Sequence, residues 1–399
     1  MRKPLALLAT AALAVGLTGT LQSPALADGP GVGSPWIVSV GDSYISGEAG
    51  RWAGNSNNGE SYMDALGPTA YYDNAGHTAE TINRCHRSLA AEVYTGVVNG
   101  MNLACSGAKT STFTDGNGYF KPGLDFYNSG GQQGQALMLQ NFAASHNVKA
   151  VVVSIGGNNF NFASIIQSCV TDWASSPTWA KDYCNDDSSV TSNFTSANVT
   201  AQTTAIKNGL LNLRTAMRNA GYADGSWSII VQNYESPLPT SSGMRYGESG
   251  YTRQSTGGCG FWNNDLNWAN ATALPTINNA VFNAASQAAI TNTKTLNLSS
   301  AFNGRRLCEN TVGLIEEKGL AGWWSTGAVD QTEWVNQIRT TSTLFGPYQL
   351  QEDFHANYWG QLAMRNCVRQ AYNNGTPRAG ACTPGPGKNS LGEPNMNFG

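Results

Sequence analysis

The chain has 399 residues, with 23 Lys or Arg against 26 Asp or Glu and a net charge of −3. A nearly neutral chain without a block of like charge gives no electrostatic reason to expect nucleic acid or an anionic membrane as partner. Charged residues make up only 12%, about half the usual share, and Gly, Asn, Ser and Thr fill the surface instead.

Residues 1–27 read as a secretory signal peptide: Arg2 and Lys3, then the apolar run Leu5–Leu17, then the small-residue site Ala25-Leu26-Ala27 before Asp28. There is no twin-arginine pair. No later run approaches the roughly 18 apolar residues that span a bilayer. The expectation is a secreted, extracellular monomer with no transmembrane segment, one domain over 28–382, and an irregular tail over 383–399 that carries Pro384, Pro386 and Pro394.

Strands are predicted at Trp36–Val40, Gly100–Ala104, Ala150–Ile155, Ser228–Gln232 and Thr295–Leu298. Helices are predicted at Arg87–Val97, Gln132–His146, Val199–Ala220, Leu274–Thr291 and Asn357–Tyr372. This alternation points to an α/β fold, a parallel sheet covered by helices on both faces. Four connections are too long for turns: Ser111–Gly131, Ser168–Ala197, Glu235–Ala273 and Phe302–Glu352. Such loops in a compact domain are usually functional or disordered. Three of these four contain cysteines, which argues for order.

Eight cysteines in an exported chain point to four disulfides. Neighbour pairing, which pins local loops, gives Cys85–Cys105, Cys169–Cys184, Cys259–Cys308 and Cys367–Cys382. No Cys-x-x-Cys or compact Cys/His cluster occurs, so no structural zinc is expected, and no metal or other cofactor.

The first predicted strand stops at Gly41-Asp42-Ser43. A hydroxyl there lies at the carboxyl end of a sheet, where open α/β folds bind ligands. Ser43 is the candidate nucleophile, which then needs a base, an orienter of that base and oxyanion donors. Among four histidines, His355 stands just before the last helix with Glu352 and Asp353 close upstream, and is the candidate base. Glu352, Asp353 or a backbone carbonyl are the candidate orienters. Gly107 follows the second strand and Asn158 the third, as candidate oxyanion donors. In a flavodoxin-like strand order those three strands are neighbours at the switch point.

Taken together, Gly41-Asp42-Ser43-Tyr44, Gly107, Gly156-Gly157-Asn158 and His355, in this order, resemble the SGNH or GDSL-type hydrolase family. The resemblance spans roughly 41–360 and is closest to secreted actinobacterial members. It implies a three-layer α/β/α fold with a five-stranded parallel sheet. It implies ester hydrolysis by Ser43 and His355, with Glu352 as the acid three before the histidine. It also implies an oxyanion hole from the Ser43 and Gly107 N–H groups and the Asn158 amide. Two departures stand out: Asn159 where the family has Asp, and Glu352 where it has Asp. Some secreted actinobacterial members use a backbone carbonyl in place of the acid.

The expected activity is that of a lipase or carboxylesterase on a small-molecule or lipid ester. A carbohydrate deacetylase on the same fold is the nearest alternative, and a non-catalytic secreted binding protein the remaining one. No Gly-x-Ser-x-Gly elbow, His-Glu-x-x-His pair or nucleotide-binding Gly-Lys-Ser/Thr loop competes. Trp323, Trp324, Trp334, Phe345 and Tyr348 precede His355 and either line an acyl pocket or pack their insertion onto the sheet.

Overall fold

Two strands with continuous apolar runs, Pro35–Gly41 (β1) and Asn147–Ser154 (β3), pair in parallel within a 7-stranded sheet. The computed structural model describes residues 29–339 and 350–399. The remaining strands are Asn99–Asn102 (β2), Ser228–Gln232 (β4), Thr293–Asn297 (β5), Gly380–Lys388 (β6) and Pro394–Phe398 (β7). The order across the sheet is β7-β6-β5-β4-β3-β1-β2. All neighbours run parallel except β6 and β7. The first five strands thus follow the flavodoxin-like order 2-1-3-4-5, with the switch point between β1 and β3.

Strand alternation splits the core in two. Val38, Val40, Val151, Val153, Ile229 and Val231 meet Leu139, Leu210 and Val281 on one face. Those three come from helices Gln135–Ala143 (α1), Ser196–Asn219 (α3) and Leu274–Ala288 (α4). Ile37, Val152, Ile230 and Leu296 face the other way, onto Leu362, Ala363, Cys367 and Val368 of helix Tyr358–Tyr372 (α5). The Asn357 side chain caps α5 by accepting from the Trp359 and Gly360 N–H groups.

The structure is a mixed α/β fold with a mostly parallel sheet, but it departs from the sequence-based expectation in four places. The sheet has two strands beyond the five expected. Most of β6 and all of β7 lie in the tail 383–399 predicted to be irregular, with β6 starting just before it: Gly380 and Ala381 pair with β5, and Cys382–Pro384 pair with β7 before the register shifts ahead of Lys388. Prolines are tolerated there because the strands lie at a sheet edge with a bulge. No helix forms over 87–97. Arg87, Glu92 and Thr95 are buried there alongside Ala90, Ala91 and Val93, while Leu89 and Val97 are exposed, so the buried side mixes polar and apolar residues, unlike the apolar face of a docked helix. A helix over Phe162–Ser175 (α2) occupies part of what was read as a loop. Finally, the helix predicted from Gln132 begins at Gln135, because Gln132 and Gln133 pair in a two-residue ladder.

Disulfides join Cys85 to Cys105, Cys169 to Cys184, Cys259 to Cys308 and Cys367 to Cys382. The last ties α5 to β6. Among the described residues no helix is long and apolar enough to cross a membrane.

Candidate active site

β1 ends at Gly41 with φ +137, where an added Cβ would lie 1.9 Å from the Ser154 carbonyl oxygen. Only glycine lets the chain turn this tightly against β3. Gln135 holds both backbone polar groups of this glycine: its Oε1 accepts from the Gly41 N–H at 2.6 Å and its Nε2 donates to the Gly41 carbonyl at 2.8 Å. A single helical turn, Ser43–Ser46, follows, and the Asp42 carboxyl caps it by accepting from the Tyr44 N–H. The other Asp42 oxygen accepts from the Tyr234 hydroxyl, which itself accepts from the Gly157 N–H at 2.8 Å. Gly41→Ala should therefore cost at least about 2 kcal/mol, an overpacking penalty, and should lower activity by displacing Ser43. Urea unfolding of the two proteins checks this.

The turn sets Ser43 Oγ 2.7 Å from His355 Nε2. His355 Nδ1 lies 2.9 Å from the Asp353 carbonyl oxygen. A carbonyl only accepts, so the neutral ring carries its proton on Nδ1 and turns the Nε2 lone pair towards Ser43. Burial holds His355 below the ordinary histidine range, so the ring is a free base at neutral pH. The loop is held firmly: Phe354, at φ +64, donates its N–H to the Asn336 carbonyl, and Asn336 donates to the His355 carbonyl at 2.9 Å. The Tyr44 hydroxyl donates to the Phe354 carbonyl at 3.1 Å.

Glu352 does not fill the orienting role assigned from the sequence. Its carboxylate accepts from Trp52 Nε1 at 3.0 Å and from the Tyr71 hydroxyl, which draws it into the protein. The Asp353 carboxyl is likewise engaged elsewhere, accepting from the Arg339 N–H at 2.8 Å. The group at Nδ1 is the backbone carbonyl.

Gly107 and Asn158 line the same cavity as Ser43 and His355. Gly107 has φ +79, a conformation that presents its N–H without a side chain in the way. Neither the Ser43 nor the Gly107 N–H has an acceptor among the described residues. Asn158 Nδ2 donates to the Ala108 carbonyl at 3.0 Å, which aims the amide and leaves its second hydrogen for a ligand. Asn159 fastens the same two loops: its amide donates to Thr110 Oγ1 at 2.8 Å and its oxygen accepts from the Thr110 N–H.

The cavity has a volume of about 450 Å³. Phe162, Ile166 and Val170 of α2, Pro237, Leu274 and Ile277 form much of its wall beside Phe354. An apolar annex of about 50 Å³ adjoins it, sharing Phe162, Ile166 and Phe354 and ending on Phe261, Trp268 and Ala273. None of the described tryptophans before His355 lines the cavity: Trp334 is buried against Phe302, Trp323 packs on Tyr358 and Trp359, and Trp324 is exposed. Phe345 and Tyr348 lie outside the described residues. The aromatic wall comes from Tyr44, Phe162, Tyr234 and Phe354, and α2 was not legible as a helix in the sequence.

No group of three or more His, Cys, Asp or Glu side chains able to hold a metal occurs among the described residues. No family model and no curated protein matches the sequence. Among solved structures, the chain is similar to an extracellular lipase from Streptomyces rimosus, at 14% identity and a TM-score of 0.43 over 85% of this chain and 100% of that one. It is also similar to a phospholipase A1 from Streptomyces albidoflavus NA297, at 16% identity and a TM-score of 0.44 over 85% of this chain and 99% of that one.

Proposed function

We propose that the protein is a secreted serine ester hydrolase of the SGNH type that acts on acyl esters with an apolar acyl chain. The observation that carries this is the 2.7 Å contact between Ser43 Oγ and His355 Nε2 at the wall of an apolar cavity. His355 takes the Ser43 proton as Oγ attacks the ester carbonyl carbon. The Ser43 and Gly107 N–H groups and the Asn158 amide receive the oxyanion. The tetrahedral intermediate collapses, the alcohol leaves with the proton from Nε2, and the acyl group stays on Ser43. His355 then deprotonates a water, which attacks the acyl carbon; the acyl–Oγ bond breaks, the acid leaves, and the proton returns from His355 Nε2 to Ser43 Oγ.

The cavity wall favours an acyl chain over an acetylated sugar. Each buried methylene is worth about 0.8 kcal/mol, or roughly fourfold in kcat/KM. Fluorophosphonate treatment is expected to add one adduct at Ser43, read by intact mass and peptide mapping, and none to Ser43→Ala. p-Nitrophenyl octanoate should be cleaved at least about tenfold more efficiently than the acetate. Preference for the acetate would favour a deacetylase, and no adduct on folded protein would favour a binding protein.

A further inference from the structure

The neutral carbonyl at His355 Nδ1 leaves a question of charge. When His355 takes the Ser43 proton it becomes an imidazolium, and among the described residues no carboxylate is hydrogen-bonded to it to balance the charge. Linked to its loop through Gln351 is a buried ion pair that the reaction does not otherwise use. Glu48, fully buried at the end of the turn that carries Ser43, holds His86 Nδ1 at 2.6 Å. His86 is 2% exposed and stacks on Tyr71 with ring centroids 4.4 Å apart. The second Glu48 oxygen accepts from Gln351 Nε2 at 3.0 Å, four residues before His355. Gln351 also donates to the Arg84 carbonyl, as does Lys121 Nζ, and the Lys121 stem packs beside Gly107. Ser106 and Gln351 both line the cavity with Ser43 and His355.

We infer that Glu48 is a positioning residue for the hydrolytic centre, a buried remote counter-charge that stabilises the His355 imidazolium in place of a contacting acid and is itself held by His86 and Gln351. This rests on the Ser43–His355 reading. The charges have the required sense: His86 holds the Glu48 carboxyl below its usual range, and Glu48 holds His86 above its own, so the pair is ionised at neutral pH. Glu48 favours the charged form of His355 and His86 opposes it, with the larger effect from Glu48. The other charged groups acting near the pair are Glu80, 3.5 Å from His86 Nε2, Lys121, which feels Glu48, and Glu352, reached through Tyr71.

Glu48→Gln keeps the shape and removes the charge; its oxygen still accepts from Gln351 Nε2 and its NH2 faces His86 Nδ1, which as a neutral ring accepts. It is expected to lower kcat about tenfold or more with KM little changed, and to move the acid limb of the kcat pH profile to lower pH, because the imidazolium loses its counter-charge. Glu48→Asp keeps the charge while shortening the reach to His86, and should hold kcat within about threefold of wild type with the limb in place. Unchanged kcat in folded Glu48→Gln, or a fall with the acid limb unmoved, would overturn the inference in favour of a packing role. Should Glu48→Gln not fold, Glu48→Asp decides alone: a folded variant that loses most of its kcat overturns it. The Ser43 fluorophosphonate adduct on wild type is read in the same series. Its absence would overturn the hydrolase reading itself, a result distinct from a Glu48 variant that labels normally with an altered profile.

Discussion

His355→Ala is expected to lower kcat on p-nitrophenyl esters by about 10⁴-fold or more, while Glu352→Gln stays within about fivefold of wild type. The contrast follows from position. His355 Nε2 is the only group on the described chain at hydrogen-bond distance from Ser43 Oγ. Glu352, though three residues before it, spends its carboxylate on Trp52 and Tyr71. A glutamine there keeps the oxygen that accepts from both. The pH profile should follow from the same burial. His355 is held below the ordinary histidine value of about 6.5, so activity should persist to a lower pH than a solvent-exposed histidine would allow. Loss of activity in Glu352→Gln equal to that in His355→Ala would return the orienting role to Glu352.

The second large effect concerns stability against pH. Burial pushes the Asp42 carboxyl up to about 7 and those of Glu92, Glu235 and Asp353 up to about 8. One oxygen of each of Glu92, Glu235 and Asp353 is buried without a partner among the described residues, as suits a neutral acid rather than an anion. Unfolded, all four titrate near 4. Between about pH 4 and 8 the folded chain therefore keeps protons that the unfolded chain has released, and stability falls as pH rises. His86, raised by Glu48, acts in the same direction. Glu48 and His355, both lowered, act in the opposite one, and their contributions are lost as pH falls. The carboxyls outnumber them, so the melting temperature by calorimetry should be higher at pH 6 than at pH 8.5, by at least about 4 °C for a difference of a few kcal/mol. A flat or rising profile would mean that these carboxyls are ionised in the fold.

What was legible in the sequence is what local chemistry decides. The run Trp36–Val40 and the exact span Ser228–Gln232 announced buried parallel strands because both faces are apolar. The small residues after β1, β2 and β3 could be placed at one end of the sheet from strand order alone. The role given to Glu352 failed because spacing along the chain says nothing of Trp52 and Tyr71, whose hydrogen bonds to it span 300 and 281 residues. The segment 87–97 failed for a similar reason: Arg87 is committed to the Leu103 and Ala104 carbonyls, a tertiary contact that overrides helix propensity. β6 was hidden by Pro384 and Pro386, whose meaning depends on lying at an edge. Glu48 and His86 gave no sign, since neither stands in a recognisable motif.

The carbonyl of Asp353 has a genetic consequence. A library of every single substitution cannot delete a backbone oxygen, so a selection for activity should find two sharply intolerant positions, Ser43 and His355, and no third of equal sharpness. Sensitivity to the orienting group should instead be spread over residues that shape the peptide. Phe354 should reject β-branched side chains because its φ is +64. Asn336 should reject proline, since its N–H donates to the His355 carbonyl. Tyr44 should favour retention of its hydroxyl, which donates to the Phe354 carbonyl. Read by sequence variation alone, such a centre would pass for a dyad, and its third member would be found only as a diffuse pattern of constraint around it.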